Sequence, residues 1–419
     1  MLKYAYMVGI GGIGSGMFFR LRGNQTLGRN ESRAATLLGR RDFCKLHIIA
    51  HYVARLLGAG RGRFDVFPVG KVGDDDAGRK LIELMRQAGM DTRWVRAEPR
   101  RATLLSVCFL YEDGDGGNIT NDDSACARLA PADVDAALDA LADRAGPAIL
   151  LAAPEVDLAC RLRLLERARP GDLRVAALTT AEVGPAIEQR LPGRVDLMSL
   201  NLEEAAAVAG GTGILPVRPT GVSPVADATP PPPGEGGPKG RERGSPTSPH
   251  PPLRGDLSQR ERSETPQTAG ETSVPRPAAA TLVAQAGTVL SGFNPDIRLC
   301  VTAGAAGLYA WHRGRADHVP ACPAEVVSTA GAGDAVLAAL IAGEAFGLPF
   351  CVFDRPARQH LSDLPLQSSA DLAALLAGLA VSCPDTINFD ADAARLRALA
   401  ESIGADASRL APLWHKEPP

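Results

Sequence analysis

Short apolar segments alternate with longer amphipathic ones along most of the chain. Eight short segments rich in β-branched, aromatic and other apolar side chains are predicted to be strands, at 4–10, 64–70, 104–111, 148–153, 174–179, 195–200, 297–302 and 307–312. Apolar residues recur with helical spacing between many of them, which predicts helices at 45–58, 77–89, 131–145, 157–168 and 201–210. This alternation predicts an α/β fold, in which a mostly parallel central sheet is covered by helices on both faces.

Two segments interrupt the alternation. Residues 14–43 and 100–123 are polar, contain glycines and are partly extended. Because neither fits the rhythm of strand and helix, we expect them to form a small lid over the functional site.

A third segment differs in composition from everything around it. Residues 212–279 contain 15 of the 33 prolines and no aromatic residue, so this stretch cannot build a hydrophobic core. We expect a disordered, proline-rich insertion in a surface loop. The flanking sequence then forms one domain, made of residues 1–211 and 280–419.

Composition narrows the class of protein further. The chain has 419 residues, 45% of them hydrophobic, with a formal net charge of −3. That charge supplies no basic field for nucleic acid or an anionic membrane, so neither is an expected partner. The eight cysteines include no CxxC pair, and no apolar run approaches the length of a membrane span. We expect a cytoplasmic protein with reduced thiols.

The richest chemical motif lies at residues 328–343, where a glycine-rich turn precedes an apolar helix. Gly331, Ala332 and Gly333 are small enough for their N–H groups to converge on an oxyanion at the positive end of the helix dipole. Asp334 follows in the first helical turn, where a carboxylate can take a proton from an attacking hydroxyl. The combination indicates a phosphotransferase, although a capped helix start has the same pattern when it stands alone.

Four segments in order resemble the ribokinase-like (PfkB-type) carbohydrate kinase family. They are residues 71–95, 196–210, 301–311 and 328–343. The resemblance implies a ribokinase-like three-layer sandwich with a small β lid. It also implies ATP-dependent phosphorylation of a hydroxyl on a sugar or sugar-like small molecule. Kinases of this family often pair through their lids, so the resemblance allows a homodimer.

The resemblance also assigns roles to individual residues. In the family, the turn matching Gly331, Ala332 and Gly333 is the anion hole for the transferred phosphate, and the aspartate matching Asp334 is the general base. Five other residues match positions that serve the cofactors ATP and Mg²⁺, and the kinase interpretation places three residues near the N-terminus at the substrate. Asn201 and Glu204 would hold Mg²⁺ through water, with Glu204 as the metal-linked carboxylate; Thr302, Gly304 and Gly307 would approach the nucleotide; Gly11, Gly12 and Asn24 would contact the acceptor.

The sequence departs from the family pattern at three places. Ser328 stands where the family motif begins with an aspartate that in many relatives helps to bind a monovalent cation, so activation by K⁺ is not implied. No aspartate that could bind sugar hydroxyls follows the first strand, and the next helix opens with 42–47, which lacks the usual glycine pair. The sequence therefore does not identify the acceptor molecule.

Three other interpretations compete for parts of the chain. Gly9, Gly11 and Gly14 spell a GxGxxG motif, which would favour an NAD-dependent oxidoreductase if a helix followed. His47 and His51 have the i, i+4 spacing of a zinc pair, but no third ligand is evident and a satisfied helix face is the simpler interpretation. The loss of aspartate at Ser328 also fits a catalytically degenerate kinase fold that acts as a binding module.

Overall fold

The computed structural model describes residues 2–112, 116–210 and 276–414. Most of the predicted insertion therefore lies outside the described residues. The last four residues of the predicted insertion, 276–279, are described, and they belong to a helix that begins at Arg276. This helix thus begins before residue 280, where the sequence predicts that the domain continues.

The described chain contains thirteen strands and eleven α-helices. The strands are β1 (Tyr6–Ile10), β2 (Gly14–Leu21), β3 (Ala35–Phe43), β4 (Asp65–Gly73), β5 (Val95–Glu98), β6 (Leu104–Leu110), β7 (Gly116–Thr120), β8 (Ala148–Ala152), β9 (Leu173–Ala177), β10 (Leu197–Asn201), β11 (Arg298–Thr302), β12 (Leu308–His312) and β13 (Arg315–Val319). The helices are α1 (Lys45–Leu57), α2 (Asp76–Gln87), α3 (Pro131–Ala140), α4 (Leu158–Glu166), α5 (Val183–Glu188), α6 (Leu202–Gly210), α7 (Arg276–Ser291), α8 (Ala332–Ala345), α9 (Ser369–Val381), α10 (Ala393–Ser402) and α11 (Ala411–Trp414).

Nine strands form one large sheet in the order β13-β12-β11-β10-β9-β8-β1-β4-β5. The seven strands from β11 to β5 in this order are parallel, whereas β12 and β13 add an antiparallel edge. The parallel strands β1 and β8 are buried at every position, as expected when helices cover both faces of a sheet. The predicted parallel α/β architecture is confirmed.

The hydrophobic core lies in two layers, one on each face of this sheet. The first layer contains apolar side chains of α1, α2, α8, α9 and α10, and the second contains those of α3 to α7. Helices α8 and α9 are apolar around almost their whole circumference, because each is packed between the sheet and other helices. The result is the expected three-layer sandwich.

The remaining strands form a separate four-stranded sheet in the order β3-β2-β6-β7, which we call the lid. Its two long segments are those that break the alternation in the sequence. The sequence gives no clean strand pattern for β2 and β3, because glycines and arginines interrupt them and a register shift lies between Met17 and Phe18. Such an irregularity obscures the period of two by which strands are recognised.

The two faces of the lid differ in character. On one face, Gly16, Asp42 and Ser106 are in register across three strands. The other face exposes large apolar side chains, with Leu37 61% exposed and Ile119 65% exposed. Met17 and Leu105 lie on this second face as well. We call the first the polar face of the lid for its carboxylate and hydroxyl groups, although it also carries Phe18 and Leu38, and the second its apolar face.

The dinucleotide-binding alternative is wrong. That interpretation of Gly9, Gly11 and Gly14 requires a helix directly after the first strand. The chain instead continues from β1 into β2, which starts at Gly14 in the lid. Gly9 therefore lies within β1 and Gly14 opens β2, so in the described part of the chain the motif does not begin a phosphate-binding helix.

His47 and His51 lie on the buried face of α1. Their rings pack edge to face against aromatic side chains, with centroids 4.9 Å apart for His47 and Phe43 and 4.9 Å apart for His51 and Phe389. Contrary to the expectation of a satisfied face, their ring nitrogens have no hydrogen-bond partner among the described residues. No cluster of three or more metal-ligating side chains occurs in that part of the protein either.

These two histidines should make folding sensitive to acid. Burial lowers the pKa of each imidazole to about 3, from 6.5 in an unfolded chain. Below pH 6.5 the histidines of the unfolded state therefore bind protons that the buried histidines of the folded state do not bind, so the free energy of unfolding falls as the pH falls. One such histidine destabilises the fold by roughly 2 kcal/mol at about pH 5.

We therefore expect His47→Leu to lose less stability than the wild type between about pH 7.5 and about pH 5. Urea unfolding at both pH values measures the difference. The exposed His360 provides the control variant His360→Leu, which should behave as the wild type does. Equal losses of unfolding free energy in the wild type and in His47→Leu would contradict the explanation that buried histidines cause the sensitivity to acid.

Candidate active site

The candidate site lies at the carboxyl ends of the parallel strands. Strand β1 sits between β4 and β8, so the strand order proceeds in opposite directions from this point. In open α/β sheets a crevice forms at such a switch point, outside the carboxyl ends of the strands. Segments that follow β1, β8, β10 and β11 all reach this end of the sheet.

The glycine-rich turn begins α8 in a left-handed backbone conformation. Gly331 has φ of 80°, and a Cβ atom there would lie 2.3 Å from the carbonyl oxygen of Thr386. The N–H of Ala332 donates to the Thr329 carbonyl at 3.3 Å. Within the described residues, the N–H groups of Gly333 and Asp334 donate to no other protein atom. Two N–H groups at the positive end of the helix thus stay available for an anion.

Asp334 lies in the first turn of α8 opposite a lysine. Its Oδ1 is 3.7 Å from Nζ of Lys45, the first residue of α1, and its side chain is 13% exposed. Burial raises the pKa of Asp334, the nearby Lys45 ammonium opposes the rise, and the charge of Asp42 adds to it. Asp334 in turn raises the pKa of Lys45. The pair places a proton acceptor beside a fixed positive charge.

Asn201 and Glu204 form a reciprocal cap at the start of α6. The Asn201 N–H donates to Oε2 of Glu204 at 2.8 Å, and the Glu204 N–H donates to Oδ1 of Asn201 at 2.8 Å. Burial raises the pKa of Glu204, while Lys45 lowers it. The capping interpretation is therefore correct as geometry, and it leaves Oε1 of Glu204 without a partner in the described chain.

Thr302, Gly304 and Gly307 form the hairpin between β11 and β12. Oγ1 of Thr302 donates to the Leu200 carbonyl at 3.5 Å and lies 3.8 Å from the point where a Cβ of Gly333 would be. Gly304 has φ of 54° and Gly307 has φ of 95°. This hairpin therefore ends next to the glycine-rich turn.

Gly11 and Gly12 follow β1 and contact the segment that follows β8. The Gly12 N–H donates to the Pro154 carbonyl at 2.9 Å, and a Cβ on Gly12 would lie 2.5 Å from Oε2 of Glu155. Glu155 has φ of 72°, an uncommon conformation for a residue with a side chain. Its Oε2 is buried and has no partner in the part of the protein that is described. Burial raises the pKa of Glu155 to about 7, while the thiol of Cys44, by hydrogen bonding, and the charge of Lys45 oppose that shift.

Asp42 brings a further carboxylate to the site from the polar face of the lid. Its Oδ2 accepts hydrogen bonds from Oγ of Ser106 at 2.6 Å and Sγ of Cys108 at 3.6 Å. The charge of Asp42 also raises the pKa values of Asp334 and Glu155, so the three carboxylates share one electrostatic environment.

One predicted residue is not brought to the site. Asn24 is exposed and follows Leu21, the last residue of β2. Strand β2 leaves the site at Gly14 and rises about 3.3 Å per residue, so its far end lies roughly 23 Å away. Asn24 therefore does not join Gly11 and Gly12, and the prediction that groups the three is wrong at this position.

Three functional candidates were missed by the sequence interpretation. Lys45, Asp42 and Glu155 carry no motif, and each reaches the site from a different segment. One signal was present for Lys45, because a lysine opens a helix that is otherwise almost wholly apolar. Asp42 lies next to that helix on a strand that the sequence did not resolve.

Family comparison agrees with this geometry. A sequence profile described as pfkB family carbohydrate kinase matches residues 49–227 and 270–393, well over half of the chain. The chain belongs to the pfkB family of carbohydrate kinases. A curated fructokinase of Klebsiella pneumoniae is 50% identical to it over 58 residues, which cover 14% of this chain and 19% of the fructokinase. The chain thus spans about a fifth of that relative's length.

Solved structures of ribokinases share the fold of this pfkB family member. The ribokinase of Giardia lamblia has a TM-score of 0.63 at 14% identity, over 94% of this chain and 99% of the other. The ribokinase of Cryptococcus neoformans, in complex with ADP, has a TM-score of 0.58 at 17% identity, over 94% of this chain and 99% of the other. The ribokinase-like fold implied by the sequence is confirmed. No helix in the described part of the kinase is both long and apolar enough to cross a membrane.

The two glycines that flank α8 allow a matched test of the turn. Gly331 and Gly347 have φ of 80° and 77°, but only at Gly331 would an added Cβ lie within 4 Å of another atom. Both alanine variants should lose about 1 kcal/mol from backbone strain. Gly331→Ala should lose about 1–3 kcal/mol more, because the added methyl meets the Thr386 carbonyl. Urea unfolding measures both, and equal losses would show that the turn is not closely packed.

Proposed function

We propose that this protein transfers the γ-phosphoryl group of ATP to a hydroxyl of an uncharged sugar or sugar-like small molecule. The observation that carries the proposal is the position of Asp334. Its carboxylate lies beside Lys45 and directly after a turn with two unpartnered N–H groups. A proton acceptor, a fixed cation and an anion-binding turn are the parts that phosphoryl transfer requires.

In the proposed reaction, Asp334 takes the proton of the acceptor hydroxyl. The hydroxyl oxygen attacks the γ-phosphorus while the bond to the bridging oxygen breaks and ADP leaves. The N–H groups of Gly333 and Asp334 and the ammonium of Lys45 stabilise negative charge on the transferred group. Because Lys45 lowers the pKa of Asp334, it also keeps the base ionised against the effect of burial.

The site offers one carboxylate, that of Glu204, as a protein ligand for Mg²⁺. Protein sites for Mg²⁺ commonly supply one or two carboxylates and leave the other positions to water and phosphate. Glu204 meets this description, since one of its oxygens caps α6 and the other is unpartnered within the described chain. Asn201 would act through its cap on Glu204. When bound there, Mg²⁺ would neutralise charge on the phosphates.

The nucleotide would lie along the hairpin that joins β11 and β12. Thr302 is adjacent to Gly333, and the positive φ of Gly304 keeps that corner free of a side chain. Gly307 is needed for a different reason, since a Cβ there would lie 2.2 Å from the Val319 carbonyl oxygen. We therefore assign Thr302 and Gly304 to nucleotide contact and Gly307 to the shape of the turn.

The acceptor would bind between the lid and the end of β8. Glu155 offers a buried, unpartnered oxygen there, and it lies so close to Gly12 that a Cβ atom on Gly12 would not fit. Asp42 faces the same region from the lid. Carboxylates bind hydroxyl groups well, but they repel a phosphate or carboxylate on the acceptor. The charges at this end of the site therefore favour a neutral acceptor.

Replacing the base should separate turnover from binding. We expect Asp334→Asn to lower kcat by about 10²–10⁴-fold, because general base catalysis is lost. Stabilisation by Mg·ADP in a thermal shift assay should persist, since the backbone of the turn is unchanged. Asp76 lies in the first turn of α2, so Asp76→Asn is the matched control and should keep full activity.

The assay couples ADP release to absorbance over a panel of neutral sugars, polyols and nucleosides. Full turnover by Asp334→Asn would refute the role of the base. Mg·ADP binding by the wild type without turnover on any member would favour the degenerate binding module.

Charge selectivity gives a second test of the acceptor end. On a panel that pairs each neutral sugar with its phosphate or its acid, we expect kcat/KM to be at least about 10-fold higher for the neutral member. Above about pH 8, where Glu155 with its pKa of about 7 is ionised, Glu155→Gln should narrow that ratio of kcat/KM values, because it removes a negative charge and keeps the shape. A preference of the wild type for anionic acceptors would contradict the proposal.

The expected homodimer stays a prediction. The exposed apolar face of the lid, with Met17, Leu37, Leu105 and Ile119, is the surface that such an assembly would bury.

A further inference from the structure

A short segment near the end of the chain contacts both halves of the candidate site. Residues 385–389 lie between the end of strand β3 in the lid and the glycine-rich turn. On one side, the Thr386 N–H donates to the Arg41 carbonyl at 3.1 Å, and the Phe43 N–H donates to Oγ1 of Thr386 at 3.0 Å. On the other side, the Thr386 carbonyl packs against Gly331.

An ion pair reinforces the contact with the lid. Asp385 accepts from the backbone N–H of Arg41 at 2.7 Å and from its Nε at 2.8 Å, and Nη2 lies 2.6 Å from Oδ2. The Asp385 side chain is 11% exposed, whereas that of Arg41 is 55% exposed. The Arg41 guanidinium also covers the ring of Phe389 at 4.7 Å. A backbone and a side-chain contact to one carboxylate hold this part of β3 in a single position.

The geometry of β3 connects this contact to the acceptor. Side chains alternate along a strand, so Arg41 and Phe43 face residues 385–389 while Asp42, between them, faces the site. Fixing Arg41 and Phe43 therefore fixes the direction of the Asp42 carboxylate. The same segment limits the freedom of Gly331, because the Thr386 carbonyl occupies the space beside its Cα.

We propose that Arg41, Asp385 and Thr386 are positioning residues that couple the lid to the phosphate-binding turn. A ligand that orders the turn at Gly331 also orders Thr386, and through Thr386 and Asp385 it orders the strand that carries Asp42. Binding at the nucleotide end is thereby transmitted to the acceptor end before any acceptor is present. This inference rests on the proposed function, because it takes the turn to be the phosphate site.

Hydrogen–deuterium exchange with Mg·ADP as the probe tests the coupling. In the wild type, Mg·ADP should slow exchange in the turn at 328–334 and in β3, each by about threefold or more. In Asp385→Asn and in Arg41→Gln, the turn should still be protected while β3 is not. Arg41→Lys keeps the charge and should recover part of the protection. The double variant with Asp385→Asn and Arg41→Gln should lose no more protection of β3 than either single variant, because both substitutions remove the same link.

Arg93 supplies the matched control. It pairs with Asp91 through the same two nitrogens, Nε and Nη2, and lies outside both the lid and the turn. Arg93→Gln should leave the protection of β3 by Mg·ADP intact.

Two different failures can be told apart. Protection of β3 that persists in both Asp385→Asn and Arg41→Gln would overturn the coupling and leave the kinase proposal standing. A wild type that shows no protection of the turn by Mg·ADP would overturn the proposed nucleotide site, and the coupling with it. Unfolding midpoints of the variants confirm that each is folded at the temperature of exchange.

Discussion

The site depends on one ammonium group among several buried carboxylates. Lys45 lowers the pKa of Asp334, of Glu155 and of Glu204, each of which burial raises. Without this cation, the carboxylates would repel one another and take up protons, and the base would be lost. The packing of α1 against α8 fixes both members of the closest pair, since Lys45 begins one helix and Asp334 lies in the first turn of the other.

Strand order explains why the remaining residues meet at this place. Parallel strands present their carboxyl ends at one edge, so the segments after β1, β8, β10 and β11 converge without being close in sequence. The lid then supplies what the main sheet cannot, a carboxylate that approaches from above the crevice. Its other face is apolar, so the four strands form a two-sided element.

The sequence predicted those parts that local patterns specify. The parallel sheet, most of the helices and the turn at Gly331 follow from apolar periodicity and glycine placement within short windows. Lys45, Asp42 and Glu155 could not be found in this way, because their importance comes from contacts between distant segments. Asn24 was misplaced for the same reason, since only the path of β2 shows that it ends far from Gly11. The four residues before Ala280 were assigned to the insertion because Pro275 and Pro277 continue its proline-rich composition. These four residues begin helix α7 instead, and proline is well tolerated at the start of a helix.

The position of residues 385–389 in the chain has a consequence for biosynthesis. All strands of both sheets have left the ribosome once Val319 has emerged from the exit tunnel, so the scaffold can assemble early. The segment that joins Arg41 to Gly331 emerges about seventy residues later. A nascent chain can thus possess a complete sheet and still lack an organised site, so this polypeptide becomes competent for chemistry only after its scaffold is in place.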